Sequence, residues 1–122
     1  MKLLIIPSLI LTALLPTYSF EAVGPPHIDP PSLSAIVTAY SSTPDQTDSS
    51  PFTTANGEHV RDGGIANNCL DFGQEVIVKS KVYTVNDRMN SRYDCRYFDI
   101  WFPTRQEALN FGKQRLQVTK NH

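Results

Sequence analysis

Two aspartates lie in strand-like apolar segments, and their side chains are the ones best suited to chemistry. Asp87 ends the segment VYTVND at residues 82–87, and Asp99 lies within YFDIWF at residues 97–102. A carboxylate among apolar neighbours needs an ion-pair partner, or its pKa rises toward neutrality. Asp99 is therefore a candidate either for a structural ion pair or for a general acid of the kind that cleaves glycosidic bonds. The arginines considered as its partner are Arg88, Arg92 and Arg96.

The charge of the chain narrows the choice of partners. The 122 residues contain 11 Lys and Arg against 12 Asp and Glu, giving a formal net charge of −1. This balance offers no electrostatic attraction for nucleic acid or for an anionic membrane. Three histidines, His27, His59 and His122, are too scattered for a metal site. We expect no metal, no cofactor and a monomeric chain.

The N-terminus has the pattern of an export signal. Lys2 precedes an apolar stretch at residues 3–15, and small residues follow, with Ser19 as the expected cleavage position. The apolar stretch is short for a membrane span, although an uncleaved N-terminal anchor is the alternative. The sequence thus predicts a signal peptide at residues 1–19 and a location in the cell envelope or outside the cell.

The rest of the chain divides into a spacer and one domain. Residues 20–33 contain four prolines and predict an extended linker, which leaves residues 34–120 as the folded domain. Cys69 and Cys95 are the only cysteines, and in an exported chain such a pair favours a disulfide over free thiols. Closing a loop of this length contributes roughly 3 kcal/mol in the chain-entropy model. Reduced cysteines are the alternative.

Local patterns predict a small, mainly β domain with one helix near its C-terminus. The capping-box pattern from Thr104 to Glu107 begins the helix, and Gly112 ends it. Trp101, inside an apolar strand, is expected in the core rather than as a sugar-binding platform. Residues 41–54 form a long polar loop that either lines a glycan groove or is a plain surface loop. Strands are predicted at residues 35–40, 75–78, 82–85, 98–102 and around 116–118.

Five segments, taken in order, resemble the 3D-domain family, which is named for three aspartates. They are VTAYSS at 37–42, TTANG at 53–57, GGIANNCLDFGQEVIV at 63–78, VYTVNDRMN at 82–90 and FDIWFPTRQEALNFG at 98–112. The family is similar to the C-terminal part of membrane-bound lytic transglycosylase A, and the resemblance covers residues 36–119. It implies a small six-stranded double-psi β-barrel. It also implies a lytic transglycosylase that breaks the MurNAc-β-1,4-GlcNAc bond of peptidoglycan without water and leaves 1,6-anhydro ends.

The resemblance assigns two of the three family aspartates. Asp87 matches the second and Asp99 the third, whereas the nearest match to the first is Asn67, which can hydrogen-bond but cannot titrate. Asp71 aligns with a proline of the family turn and does not replace the missing acid. Loss of the first acid leaves either an active enzyme, if that residue only orients others, or a binder.

The implied chemistry needs one proton-transferring carboxyl and one that stays charged. Asp99 is expected to be the acid and then the base, since its neighbours are more apolar, with Asp87 charged beside Arg88; the reverse assignment stays open. Two alternatives remain: a non-catalytic, expansin-like polysaccharide-binding module, and a hydrolytic glycosidase on the same barrel. Residues expected to contact peptidoglycan strands are Thr38, Tyr40, Thr54, Asn67 and Arg88.

Overall fold

The computed structural model describes residues 13–26, 30–42 and 51–122. The predicted export signal lies largely outside these residues, as do His27 and positions 43–50 of the polar loop. Export and cleavage therefore remain predictions. Within the described ranges, no helix is both long and apolar enough to cross a membrane.

Six strands and one helix make up the domain. The helix α1 spans Arg105–Phe111 and follows the fifth strand directly. The first strand begins inside the segment that was expected to be linker, and the second strand, only three residues long, was not predicted. The strands are β1 (Ser32–Tyr40), β2 (Gly64–Ala66), β3 (Glu75–Val78), β4 (Lys81–Asp87), β5 (Tyr97–Trp101) and β6 (Gln114–Lys120).

The strands close into a barrel in the order β1-β5-β2-β4-β3-β6. The β1–β5 and β2–β4 pairs are parallel, and the other four pairs are antiparallel. Closure leaves the sheet without a free edge, which protects a small β domain from pairing with other chains. The predicted six-stranded double-psi β-barrel with one short helix near the C-terminus is confirmed.

Alternating side chains fill the barrel. Val37, Ile65, Val85 and Ile100 are each no more than 1% exposed, and they lie on adjacent strands at nearly the same level. Because side chains alternate along a strand, the residues next to them point to the opposite side of the sheet. The complete core cluster contains Ala35, Val37, Ile65, Val76, Val78, Tyr83, Val85, Phe98, Ile100 and Val118.

Helix α1 begins and ends where its capping residues predict. The Thr104 hydroxyl accepts a hydrogen bond from the backbone N–H of Glu107, and the Glu107 carboxylate accepts one from the N–H of Thr104, both at 3.2 Å. Such a cap typically stabilises a helix by about 1 kcal/mol. At the other end Gly112 has a φ of 65°, which other residues rarely adopt. The helix is therefore fixed locally, directly after the strand that carries Asp99.

Candidate active site

The two aspartates flank one residue of β2. Ala66 pairs with Asp99 of β5 on one side and with Asp87 of β4 on the other. Two interstrand spacings place the backbones of the two acids roughly 10 Å apart. Both side chains point away from the core cluster, and we call this side of the sheet the acid face.

A β-bulge turns Asp87 toward this face. Ile65 pairs with Val85, but the next residue, Ala66, pairs with Asp87, so that Asn86 is an extra residue in β4. Without the bulge, the two-residue period of a strand would turn position 87 to the same side as Val85, into the core. One inserted residue therefore brings the second acid to the same face as the first.

The carboxyl group of Asp99 is largely buried, and few hydrogen-bond donors reach it. The Thr38 hydroxyl, at the paired position on β1, donates a hydrogen bond to Asp99 Oδ1 at 3.0 Å. Burial raises the pKa of Asp99 to about 6, the hydrogen bond from Thr38 opposes this increase, and the negative charge of Asp87 adds to it. The group is therefore partly protonated near neutral pH, as a general acid must be.

Asp87, unlike Asp99, accepts several hydrogen bonds. Its Oδ1 accepts hydrogen bonds from the backbone N–H groups of Ala55 and Arg88, each at 2.9 Å. Its Oδ2 accepts a hydrogen bond from the hydroxyl of Tyr40 at 2.7 Å. Three hydrogen-bond donors are therefore directed at this one carboxylate. The loop at residues 51–60 thus contributes to the site through the main chain of Ala55.

The guanidinium of Arg88 does not pair with Asp87 as the sequence suggested. It lies over the ring of Phe72, 3.8 Å from the centroid, and Nη1 donates to the carbonyl of Asn67 at 2.8 Å. Side chains of consecutive residues point in different directions, so the side chain of Arg88 points away from that of Asp87. Only the backbone N–H of Arg88 reaches the carboxylate of Asp87. The positive charge expected beside Asp87 is replaced by neutral donors.

The structural ion pair proposed for Asp99 is absent from the described structure. Arg96 pairs with Asp94, with Nη2 and Oδ2 at 2.8 Å. Arg92 donates to the hydroxyl of Tyr93 at 2.8 Å. With Arg88 on Phe72, each of the three arginines has another partner. Asp99 therefore has no arginine partner to oppose the effect of burial, which raises its pKa.

Asn67 does not contact the groove as expected. It is fully buried, its Nδ2 donates to the carbonyls of Cys95 and Tyr97 at 3.3 and 2.9 Å, and its Oδ1 accepts from the N–H groups of Cys69 and Leu70 at 2.9 Å. All of its common hydrogen-bonding positions are filled. Asn67 is a structural residue that ties the end of β2 to the start of β5, and direct sugar contact by its side chain is excluded.

Thr54 is also a structural residue. It is 4% exposed, and its hydroxyl donates within its own turn, to Asn56 Oδ1 and to the carbonyl of Glu58. The contact with substrate expected for Thr54 does not fit this burial. Its turn does hold Ala55, whose N–H binds Asp87, so that its contribution to the site is indirect.

Cys69 and Cys95 form the disulfide that the sequence favoured, with Cα atoms 5.3 Å apart. This separation lies within the usual range for a disulfide. The bridge joins the same two segments that Asn67 joins by hydrogen bonds, and both lead into strands of the site. The disulfide therefore lies beside the two acids and is not itself part of the acid face.

Trp101 corrects another expectation, because it lies outside the core cluster. Phe98 and Ile100 of β5 point into the barrel, so Trp101 points to the acid face with Asp99 and is half-buried. Its indole N–H donates to the hydroxyl of Ser42 at 2.9 Å. Although every residue of β5 except Asp99 is apolar or aromatic, only alternate residues of the strand face the core.

Asn86 and Gly64 belong to the site but were not identified from the sequence. Asn86 is 1% exposed, and neither polar atom of its side chain has a hydrogen-bond partner. A Cβ atom at Gly64 would lie 2.9 Å from Asn86 Nδ2, so the amide requires glycine beside it. The only signal in the sequence is the Gly63-Gly64 pair, which by itself favours a turn.

A cavity of about 330 Å³ lies elsewhere, beside the disulfide. Neither Asp87 nor Asp99 lines it, so the candidate site is the acid face and not this cavity. In the described part of the chain, no three His, Cys, Asp or Glu side chains are grouped as a metal site. The apolar residues that line the cavity include Leu33, Leu70, Val76, Phe98 and Val118.

The chain was compared with protein-family models and with curated proteins, and neither comparison gave a match.

Proposed function

We propose that this protein is an exported lytic transglycosylase that cleaves the MurNAc-β-1,4-GlcNAc bond of peptidoglycan. The observation that carries the proposal is the position of Asp99, whose burial raises its pKa to about 6, on a face shared with a second acid that accepts three hydrogen bonds. A pair of carboxyl groups with opposed environments is the usual arrangement for cleaving glycosidic bonds. The resemblance to the 3D-domain family supplies the substrate class.

Asp99 transfers one proton in each direction. Its protonated carboxyl donates to the glycosidic oxygen as the bond from C1 to that oxygen breaks, which releases the GlcNAc hydroxyl. The resulting Asp99 carboxylate takes the proton of the muramoyl C6 hydroxyl, whose oxygen then bonds to C1. The 1,6-anhydro ring is closed, Asp99 is protonated again, and no water is consumed.

Asp87 stabilises the positive charge that develops at C1. Its charge is held in place by Tyr40 and two backbone donors before the reaction begins, so no rearrangement is needed during bond cleavage. A hydrolase that inverts the anomeric centre requires a second carboxylate that is free to activate water. Asp87 already accepts three hydrogen bonds from the protein, and this feature favours the lyase.

The test is digestion of purified peptidoglycan, with soluble products identified by mass spectrometry. We expect products about 18 Da lighter than ordinary muropeptides, since one water is missing. Asp99→Asn should abolish them, whereas Asn110→Asp, an exposed change on α1, should leave them unaffected. Ordinary reducing ends would instead establish a hydrolase.

A non-catalytic glycan-binding module is the second candidate. Asn67 favours it, because the position nearest to the family's first aspartate holds an amide with all its hydrogen bonds made inside the protein. Sedimentation with peptidoglycan without release of soluble products would support this role.

A further inference from the structure

A single tryptophan lies on the acid face, next to the proposed acid. Trp101 follows Asp99 by two residues on β5, so their side chains point the same way and their Cα atoms are roughly 6.6 Å apart. This distance is close to the length of one sugar unit. A glycan whose scissile oxygen lies at Asp99 and which follows the strand would place its next sugar ring over Trp101.

We infer that Trp101 is the platform on which a sugar adjacent to the scissile bond stacks. The inference rests on the proposed function for the position of the scissile bond. The ligand class is a β-1,4-linked N-acetylhexosamine chain, whose sugar rings have apolar faces that pack against flat aromatic rings. Trp101 is thereby a specificity-determining residue rather than part of the barrel core.

The indole is held in position before any ligand binds. Its N–H donates to Ser42 at 2.9 Å, and its strand position is paired with Tyr40 of β1. A ring fixed in this way loses little freedom when a sugar binds, so that more of the contact energy appears as affinity. The Ser42 contact also satisfies the only polar atom of the ring.

The alternative is that Trp101 packs only against the protein. The core does not require it, because the positions facing the barrel on β5 are taken by Phe98 and Ile100. Trp101 is half-buried, whereas those two residues are almost completely buried. A partly exposed aromatic ring next to Asp99 is what a sugar platform requires.

Because Trp101 is the only tryptophan, its fluorescence reports directly on the site. The Asp99→Asn protein should be titrated with chitotetraose, a soluble β-1,4-linked N-acetylglucosamine oligomer, and with the α-linked maltotetraose as control. We expect chitotetraose to shift the emission and to protect it from acrylamide quenching, with no response to maltotetraose. Binding of chitotetraose without any change in emission or quenching would overturn the inference.

Variants then test the stacking itself, with affinity for chitotetraose measured by calorimetry. Trp101→Ala should weaken binding about tenfold, whereas Trp101→Phe, which keeps a ring, should stay within about threefold. Leu109→Ala, which removes an exposed apolar side chain from α1, should bind like the parent. Unchanged affinity in Trp101→Ala would overturn the inference whatever the fluorescence shows.

The outcomes separate this inference from the proposed function. Cleavage of peptidoglycan with unchanged KM in Trp101→Ala would overturn the platform and leave the lyase standing. A fluorescence response to chitotetraose, lost affinity in Trp101→Ala and no cleavage products would support the platform and overturn the lyase. No binding of any glycan by the folded protein would overturn both.

Discussion

Asp99 and Asp87 flank the same residue of β2, but their surroundings differ. Asp99 receives a side-chain hydrogen bond from Thr38, and burial raises its pKa to about 6. Asp87 receives three hydrogen bonds, two of them from backbone N–H groups that cannot be removed by changing a side chain. The two acids therefore differ in the number of donors that reach them, and burial is the main cause of the raised pKa of Asp99.

This contrast shows how one small sheet can give two neighbouring acids different environments. Asp99 is buried, which raises its pKa, whereas Asp87 accepts three hydrogen bonds. The pairing of β5 with β1 and β2 supplies the first environment. The bulge in β4 and the turn at Ala55 supply the second.

The largest effect should come from neutralising each acid separately. Asp99→Asn removes the proton that leaves with the glycosidic oxygen, and we expect a loss of about 10³-fold or more in the rate of product release. Asp87→Asn keeps the shape but removes the charge, and a loss of about 10²-fold is expected. Release of soluble muropeptides per minute measures both. A greater loss in Asp87→Asn would mean that the two roles are reversed.

Asp99 should also make stability depend on pH. Because its folded pKa is about 6 and its unfolded value is near 4, the folded state binds more protons between these values. The free energy of unfolding should thus be highest below about pH 4, as far as this group is concerned, and should fall by at most about 3 kcal/mol as pH rises through 6.

Urea unfolding at pH 4 to 8 measures this dependence. Asp99→Asn, which has no carboxyl to titrate, should flatten the curve over pH 4–7 and be more stable than the parent at pH 8. Asp71→Asn changes an exposed carboxyl and should keep the slope of the parent. A slope that persists unchanged in Asp99→Asn would assign the dependence to other groups.

A third polar side chain, that of Asn67, can be compared with the two acids. Its amide nitrogen lies between two backbone carbonyl acceptors. Asn67→Asp would replace two donated hydrogen bonds by repulsion between a carboxylate and the carbonyls of Cys95 and Tyr97. We expect a loss of about 2–4 kcal/mol in the free energy of unfolding at pH 7, partly recovered at low pH, where the new carboxyl is protonated.

Asn110→Asp on the exposed face of α1 is the control for Asn67→Asp and should change stability by less than about 0.5 kcal/mol. Urea midpoints of the two variants at pH 4 and pH 7 give the comparison. Equal stability of Asn67→Asp and the parent at pH 7 would show that the amide is not needed there, and that an acid at this position is tolerated.

Much of the fold could be predicted because its signals are local. Thr104, Glu107 and Gly112 are within one helix, and the β3 and β4 segments are apolar runs separated by a short turn. The two acids were identified by a conflict that is visible locally, a carboxylate among apolar residues. The short β2 was missed because its first residue follows another glycine, and two glycines favour a turn.

The environment of each acid could not be predicted, because it depends on pairing between distant segments. The bulge at Asn86 exists only relative to β2, and the acceptors of Asn67 are 28 and 30 residues away. The direction of the Trp101 side chain can be predicted only when it is known which side of β5 faces the barrel. Residue type and spacing therefore identified candidate residues for the site. The register between the strands decided which of these side chains lie on the acid face.

The smallest effects should come from removing the side-chain hydroxyl that donates a hydrogen bond to each acid. The activity of the parent, as kcat/KM, should fall as pH rises above about 6, where Asp99 loses its proton. Thr38→Val removes a hydrogen bond that lowers the pKa of Asp99, so this decline should move to higher pH with less than about fivefold change at the optimum. Tyr40→Phe leaves Asp87 its two backbone donors, and it should lower activity about fivefold without moving the decline. Rates of muropeptide release from pH 4 to 8 measure both variants. A decline that moves in Tyr40→Phe and stays fixed in Thr38→Val would show that the titrating acid is Asp87.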